Sequence, residues 1–235
     1  MDLFVWALIG FVFIHVGVSA TGLRGQLVAR LGEWGYRGVF STASIVLLGL
    51  MIWGFAQVRG DPYDPLNAWL WIPPVWTRHV THLLVLLGFL LIVPGVLAPG
   101  PTTVGLEGRV EREEPAKGMM RISRHPFLWG VSLWALGHLL SNGERYSVML
   151  FGALFAMALL GTRSIDRKGR ARDPEHYARF EAVTSNVPFA AILQGRNKLV
   201  LSEIWPLLLV ALIAFAAFGY FHRILIGVSA FAFGA

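Results

Sequence analysis

The sequence contains no cysteine, and only 14% of its 235 residues are charged. The first absence excludes disulfides, thiolate metal ligands and cysteine nucleophiles. The second excludes an ordinary soluble surface, because globular domains carry roughly a quarter charged residues and keep them outside. A basic n-region and an A-x-A-like cleavage site are also missing from "MDLFVWALIGFVFIHVGVSA", so this stretch reads as a retained span rather than a removed signal. What is abundant is hydrophobic residue, 55%, arranged in blocks close to the ~20 residues that cross a bilayer.

Blocks at about 2–20, 36–58, 79–98, 126–141, 146–162 and 200–221 predict an all-α polytopic membrane bundle of about six transmembrane helices. Residues 1–235 then form a single integral membrane domain surrounded by the lipid bilayer. The apolar tail "ILIGVSAFAFGA" is too short to span; it extends the last helix or lies at the interface. Segments 21–37, 99–125 and 163–199 carry 3, 5 and 8 Lys and Arg residues, whereas the intervening side has only Arg59, Arg78, Arg145 and Arg223. By the positive-inside rule the basic segments face the cytoplasm and both termini lie on the opposite side. The net charge of +6 is thus a topology signal, not a mark of nucleic-acid binding. Trp69, Trp71 and Trp76, around Pro73-Pro74, read as an aromatic belt at the outer interface. "DPEHYARFEAV" predicts a short helix capped by Asp173, with Pro174 in its first turn.

Ionisable rings inside a bilayer are costly and face a cavity, a partner or a cofactor. His176 and His222 read as surface residues, and His79 and His82 share the outer end of the third span. His125 and His138 bound the stretch "RISRHPFLWGVSLWALGHLLSNGE". At their spacing a helix rises about 20 Å and turns about 220°, so the two rings belong to different sites. His138 projects with Phe127, Val131, Trp134 and Ala135, and His15 with Phe4, Leu8, Phe11 and Val12. A neutral imidazole on an apolar, aromatic face is what an axial haem ligand requires; a hydrogen-bonded helix contact is the commoner role of such a ring. Measured from the basic ends of their spans, His15 lies about 8 Å deep and His138 about 18 Å, whereas two ligands of one iron must be nearly level. On the basic side, Arg121, Arg124 and His125 precede Pro126 at a helix start whose open N–H groups favour an anion. Glu107, Glu111, Glu113 and Glu114 are candidate partners for these arginines.

"RISRHPFLWGVSLWALGHLLSNGE", "FEAVTSNVPFAAILQGR", "HVGVSATGLRGQLVARLGEWGYRGVF" and "PPVWTRH" resemble the NnrU family of bacterial membrane proteins, over nearly all of the chain up to about residue 200. The resemblance implies a bacterial inner (cytoplasmic) membrane, periplasmic termini and a link to denitrification and nitric-oxide metabolism. NnrU proteins are in turn similar to 15-cis-ζ-carotene isomerase, a membrane enzyme with haem b. Carrying that family's His-x-Gly and Arg-His-Pro…His patterns onto this chain puts iron ligands at His15 and His138. A further isomerase histidine, after the second span, has no counterpart in "FAQVRGDPY". More distantly, "RHPFLWG" and "DPEHYARFEAVTSNVPF" are similar to isoprenylcysteine and phospholipid methyltransferases, which bind S-adenosylmethionine at a His-Pro corner, here Arg124 and His125. Their adjacent acidic pair is absent from "GTRSIDRKGRARD", which offers Asp166.

Three functions follow. The first is a haem-b protein using His15 and His138, a redox-dependent isomerase of a lipophilic polyene, an electron-transfer protein or a handler of nitric oxide. The second is a methyltransferase using S-adenosylmethionine at Arg124 and His125. The third is a non-catalytic accessory protein of the membrane.

Overall fold

Apolar runs with few breakers become helices here. The computed structural model describes residues 2–103 and 116–230, and within them the chain forms eight α-helices joined by turns. They are α1 (Leu3–Val12, continued by a π-helical turn Phe13–Val18), α2 (Leu23–Gly60), α3 (Trp76–Leu97), α4 (Pro126–Ser141), α5 (Arg145–Arg172), α6 (Pro174–Val183), α7 (Ala190–Leu193) and α8 (Trp205–Ile226). The protein is the all-α membrane bundle expected. Four helices, α2, α3, α5 and α8, are long and apolar enough to cross a membrane; α1 with its π turn, and α4 with 16 residues, are shorter and complete the bundle.

Contacts join α1 to α2, both of these to α5, and then α5 to α4, α4 to α3 and α3 to α8. The α3–α4 seam is the closest. Gly88 and Gly95 on α3 are seven residues apart, as are Gly130 and Gly137 on α4, so each pair returns to one face. A Cβ on Gly130 would lie 2.7 Å from Gly88 O, and one on Gly95 2.8 Å from Phe127 N. Small residues let two backbones approach in this way where lipid offers no hydrophobic drive to association. At the α1–α2 crossing a Cβ on Gly54 would lie 2.6 Å from Phe4 N. Phe89 of α3 meets Phe215 and Phe218 of α8, while Ile213, Leu225 and much of the rest of α8 stay exposed, as a lipid-facing helix requires.

Residues 21–37 differ from a plain connection. Leu23, Leu27 and Leu31 recur every four residues, so this stretch is itself helical and amphipathic. It joins the membrane-crossing part of α2 through a kink at Gly32, whose φ of 71° and ψ of 165° suit glycine alone without strain. Glu33 bridges the kink, accepting from Arg24 at 2.8 Å and Arg37 at 3.0 Å.

At the other end, Trp69 and Trp76 are more than half exposed, as a belt residue should be, and Leu70 N donates to Gly143 O at 2.7 Å, pinning their loop to the α4–α5 turn. The last span begins at Trp205 rather than near 200, because Leu201–Glu203 forms a separate turn. After α8 the chain reverses at Gly227, and Ala230 O accepts from His82 Nε2 at 2.7 Å; residues 231–235 of the tail lie outside the described residues. The short helix α6 forms as expected, with Asp173 accepting from His176 N at 3.2 Å and Pro174 in its first turn.

Candidate functional site

The basic end is organised by one carboxylate. Asp166 lies near the basic end of α5 and is 4% exposed. It accepts from Arg124 Nε at 2.9 Å and Nη2 at 2.7 Å, from His125 Nε2 at 2.6 Å, from Tyr177 Oη at 2.8 Å and from Asn186 Nδ2 at 3.3 Å. Arg124 also meets Glu181 at 2.9 Å, and Arg170 grips the same Glu181 at 2.8 Å. Two guanidinium groups therefore balance two carboxylates, and paired, hydrogen-bonded charge is the form in which charge survives burial.

Local sequence places these groups. Pro126 opens α4, so Arg124 and His125 stand just outside its first turn. Ser123 Oγ accepts from His125 N at 3.1 Å and donates to Asn186 O at 2.7 Å. Arg124 N donates to Ser185 O, Phe189 N to Ile122 O, and Trp129 Nε1 to Asn186 Oδ1. The 121–125 corner is thus sewn to residues 184–189. Burial, and then the neighbouring Asp166 charge, push the Tyr177 phenol well up, keeping it an O–H donor. Beside the corner, Arg121 bonds Glu203 at 2.9 Å. With the Gly118 N–H, it holds that carboxyl below its usual value against the opposing pull of desolvation.

This geometry gives Arg124 and His125 partners within the protein. Both are buried, with Arg124 bonded to Asp166 and Glu181 and His125 to Asp166. Arg121 is spent on Glu203. The four glutamates proposed as partners, Glu107, Glu111, Glu113 and Glu114, lie outside the described residues. His125 Nδ1 is buried with no hydrogen-bond partner among the described residues. Asp166 was noted in sequence only as the remainder of a missing acidic pair, and Tyr177, Glu181 and Asn186 gave no signal of their own.

The two membrane histidines are built alike. His15 Nδ1 lies 2.8 Å from Phe11 O and His138 Nδ1 2.9 Å from Trp134 O. A carbonyl only accepts, so Nδ1 carries the proton and, in a neutral ring, Nε2 keeps its lone pair. A metal-binding histidine usually has this arrangement. His15 packs against Phe11 and Phe40; His138 packs against Trp134 and Phe151. The structure does not bring them together. Ser19 meets Lys168 on α5, and α1 runs parallel to α5, so His15 stands near the level of about residue 164. His138 is level with Phe151, which reaches Phe4 through Phe55. The two rings differ in depth by about 20 Å, using 1.5 Å per residue. Among the described residues no group of three or more His, Asp or Glu could hold a metal ion.

Residues 3–230 match the family model described as NnrU protein. The chain is similar to "15-cis-zeta-carotene isomerase, chloroplastic" of Zea mays, 29% identical over 194 residues, covering 80% of this chain and 50% of that one. It is also similar to the protein of the same description from Arabidopsis thaliana, 26% identical over 189 residues with the same coverage. The chain thus spans about half the length of these curated relatives. No solved structure matches it.

Proposed function

From the premise that this chain belongs to the NnrU family, we propose that it acts within the membrane on a lipophilic polyene, as an isomerase related to the carotene isomerases, with His138 as the polar group of its site. The observation that carries the reading is the ring of His138. It is fixed by Trp134 O, walled by Trp134 and Phe151, and left with its Nε2 lone pair uncommitted to any protein donor among the described residues. Flat aromatic walls suit a conjugated chain or a macrocycle and keep water from the imidazole.

Haem b would be held here through His138 alone. His15 would reach the same iron only if α1 slid along α5 by more than three turns, so the two-histidine arrangement is not part of the proposal. Bound there, haem would supply redox-active iron able to take nitric oxide, which is the connection to denitrification that we propose. His138 would orient the group, and Trp134 and Phe151 would exclude water around it. The basic end is assigned to the cytoplasm and both termini to the periplasm of a bacterial inner membrane, on the distribution of Lys and Arg. The methyltransferase reading gains nothing from a corner whose charged donors are already spent.

The test is the optical spectrum of detergent-purified protein expressed with ample haem, oxidised and dithionite-reduced, beside His138→Ala and His15→Ala. We expect a b-type Soret band that His138→Ala loses and His15→Ala keeps. Loss in both variants would restore a two-histidine site, and a colourless wild type would remove haem. Isomerisation of 15-cis-ζ-carotene, followed by chromatography, tests the polyene separately.

A further inference from the structure

A cavity of about 430 Å³ opens at the basic end beside the Asp166 cluster, between the end of α1, the start of α2 and the end of α5. Its charged lining is Arg24, Arg37, Lys168 and Arg172 against Glu33 and Asp173. Both acids are already engaged. Glu33 accepts from Arg24 and Arg37 together, and Asp173 is bonded by His176. Lys168 is different: its Nζ has Ser19 Oγ at 3.3 Å and no carboxylate among the described residues. Among the described residues, the charges acting on it are those of Arg24, Arg167 and Arg172, all cations. A half-buried ammonium surrounded by guanidinium groups is unfavourable unless an anion offsets it. Phe40 and Ile165 add an apolar flank to the same cavity, which lies where the amphipathic start of α2 meets the membrane-crossing part of the bundle. An inorganic ion would leave that flank uncovered.

We propose that this cavity binds the phosphate group of an anionic amphiphile, with the phosphate on Lys168 and the apolar part along Phe40 and Ile165. Pockets of this size hold a small ligand or a headgroup. The phosphate could come from a membrane lipid or from a soluble phosphate ester, and the experiment separates the two. This site is independent of His138 and of any haem.

The experiment is thermal unfolding of the detergent-purified full chain, titrated with dihexanoyl phosphatidic acid, with dihexanoyl phosphatidylcholine of the same tails, and with inorganic phosphate. Four proteins are compared: wild type, Lys168→Gln, Lys168→Arg, and Arg179→Gln, whose exposed pair with Glu175 lies outside the cavity. We expect saturable stabilisation by phosphatidic acid that exceeds the phosphatidylcholine response. Its midpoint should be weakened about tenfold or more in Lys168→Gln, and kept in Lys168→Arg and Arg179→Gln. Inorganic phosphate matching phosphatidic acid would assign the site to soluble phosphates and overturn the amphiphile. Without ligand, Lys168→Gln should melt no lower than wild type, since it removes a repelled charge. A clear drop would mean that Lys168 already has an internal anionic partner, and would overturn the proposal. Equal responses to the two lipids, or an unchanged midpoint in Lys168→Gln, would overturn it as well.

Discussion

Replacing Asp166 by Asn leaves the size of the side chain nearly unchanged and removes its charge. Arg124, 7% exposed, then loses a two-point partner, and the Asn amide turns an N–H₂ toward a donor. Breaking a buried ion pair by removing one partner costs about 3–5 kcal/mol. Glu181 stays on Arg124 at 2.9 Å, which argues for the low end, about 3 kcal/mol. The hydrogen bonds from Tyr177 and Asn186, of which one oxygen cannot serve all, add about 1 kcal/mol. For a chain of this size each kcal/mol moves the melting temperature by roughly 2–4 °C, so Asp166→Asn should melt about 8–16 °C lower. The assay is tryptophan fluorescence of the detergent-solubilised protein on heating, with Arg124→Met and the double variant alongside. If the two groups serve each other, the double variant will lose less than the sum of the singles, by about 2 kcal/mol or more. A drop under about 2 °C for Asp166→Asn, or strict additivity, would refute the reasoning.

Two further outcomes follow. The Arg121 guanidinium holds the Glu203 carboxyl below its ordinary 4.5. The stability it contributes is therefore fully present above that value and is lost as pH falls through the lower, folded value. Melting temperatures taken from pH 7 downward should fall less steeply for Glu203→Gln than for wild type; identical slopes would show that the pair is idle. At the α3–α4 seam, Gly130→Leu must push against Gly88 O and Ile92, which a Cβ alone would meet at 2.7 Å and 2.6 Å. Overpacking of this kind costs about 1–3 kcal/mol, and the same variant melting like wild type would show that the seam opens freely.

Hydrophobic block length carried the bundle well, because a span is a one-dimensional property that neighbours hardly alter. Pro126 and the Asp173-Pro174 pair marked the starts of α4 and α6 for a similarly local reason. Gly32 was missed because a single glycine in an amphipathic stretch does not announce a left-handed φ. The His-Pro corner was legible as special, but its internal partners were not. Arg124 and His125 looked like ligands for an outside group, while their partner Asp166 stood about forty residues away on another helix. The similar environments of His15 and His138 were legible from helix periodicity, as was the first hint of their unequal depth. What periodicity cannot supply is how far one helix is slid along another, and that offset is what separates the two rings.

Asp166 also bears on how the chain is assembled. Its partners lie 42 and 41 residues before it, at Arg124 and His125, and 11 and 20 residues after it, at Tyr177 and Asn186. During synthesis the arginine and histidine are waiting when α5 enters the membrane, but the phenol and the amide have yet to be made. The carboxylate can complete its bonds only after residue 186 has left the ribosome, when five of the six larger apolar helices already exist. The basic end is therefore the last part of that five-helix portion to lock, and a chain truncated short of Asn186 would insert its helices without ever fastening them there.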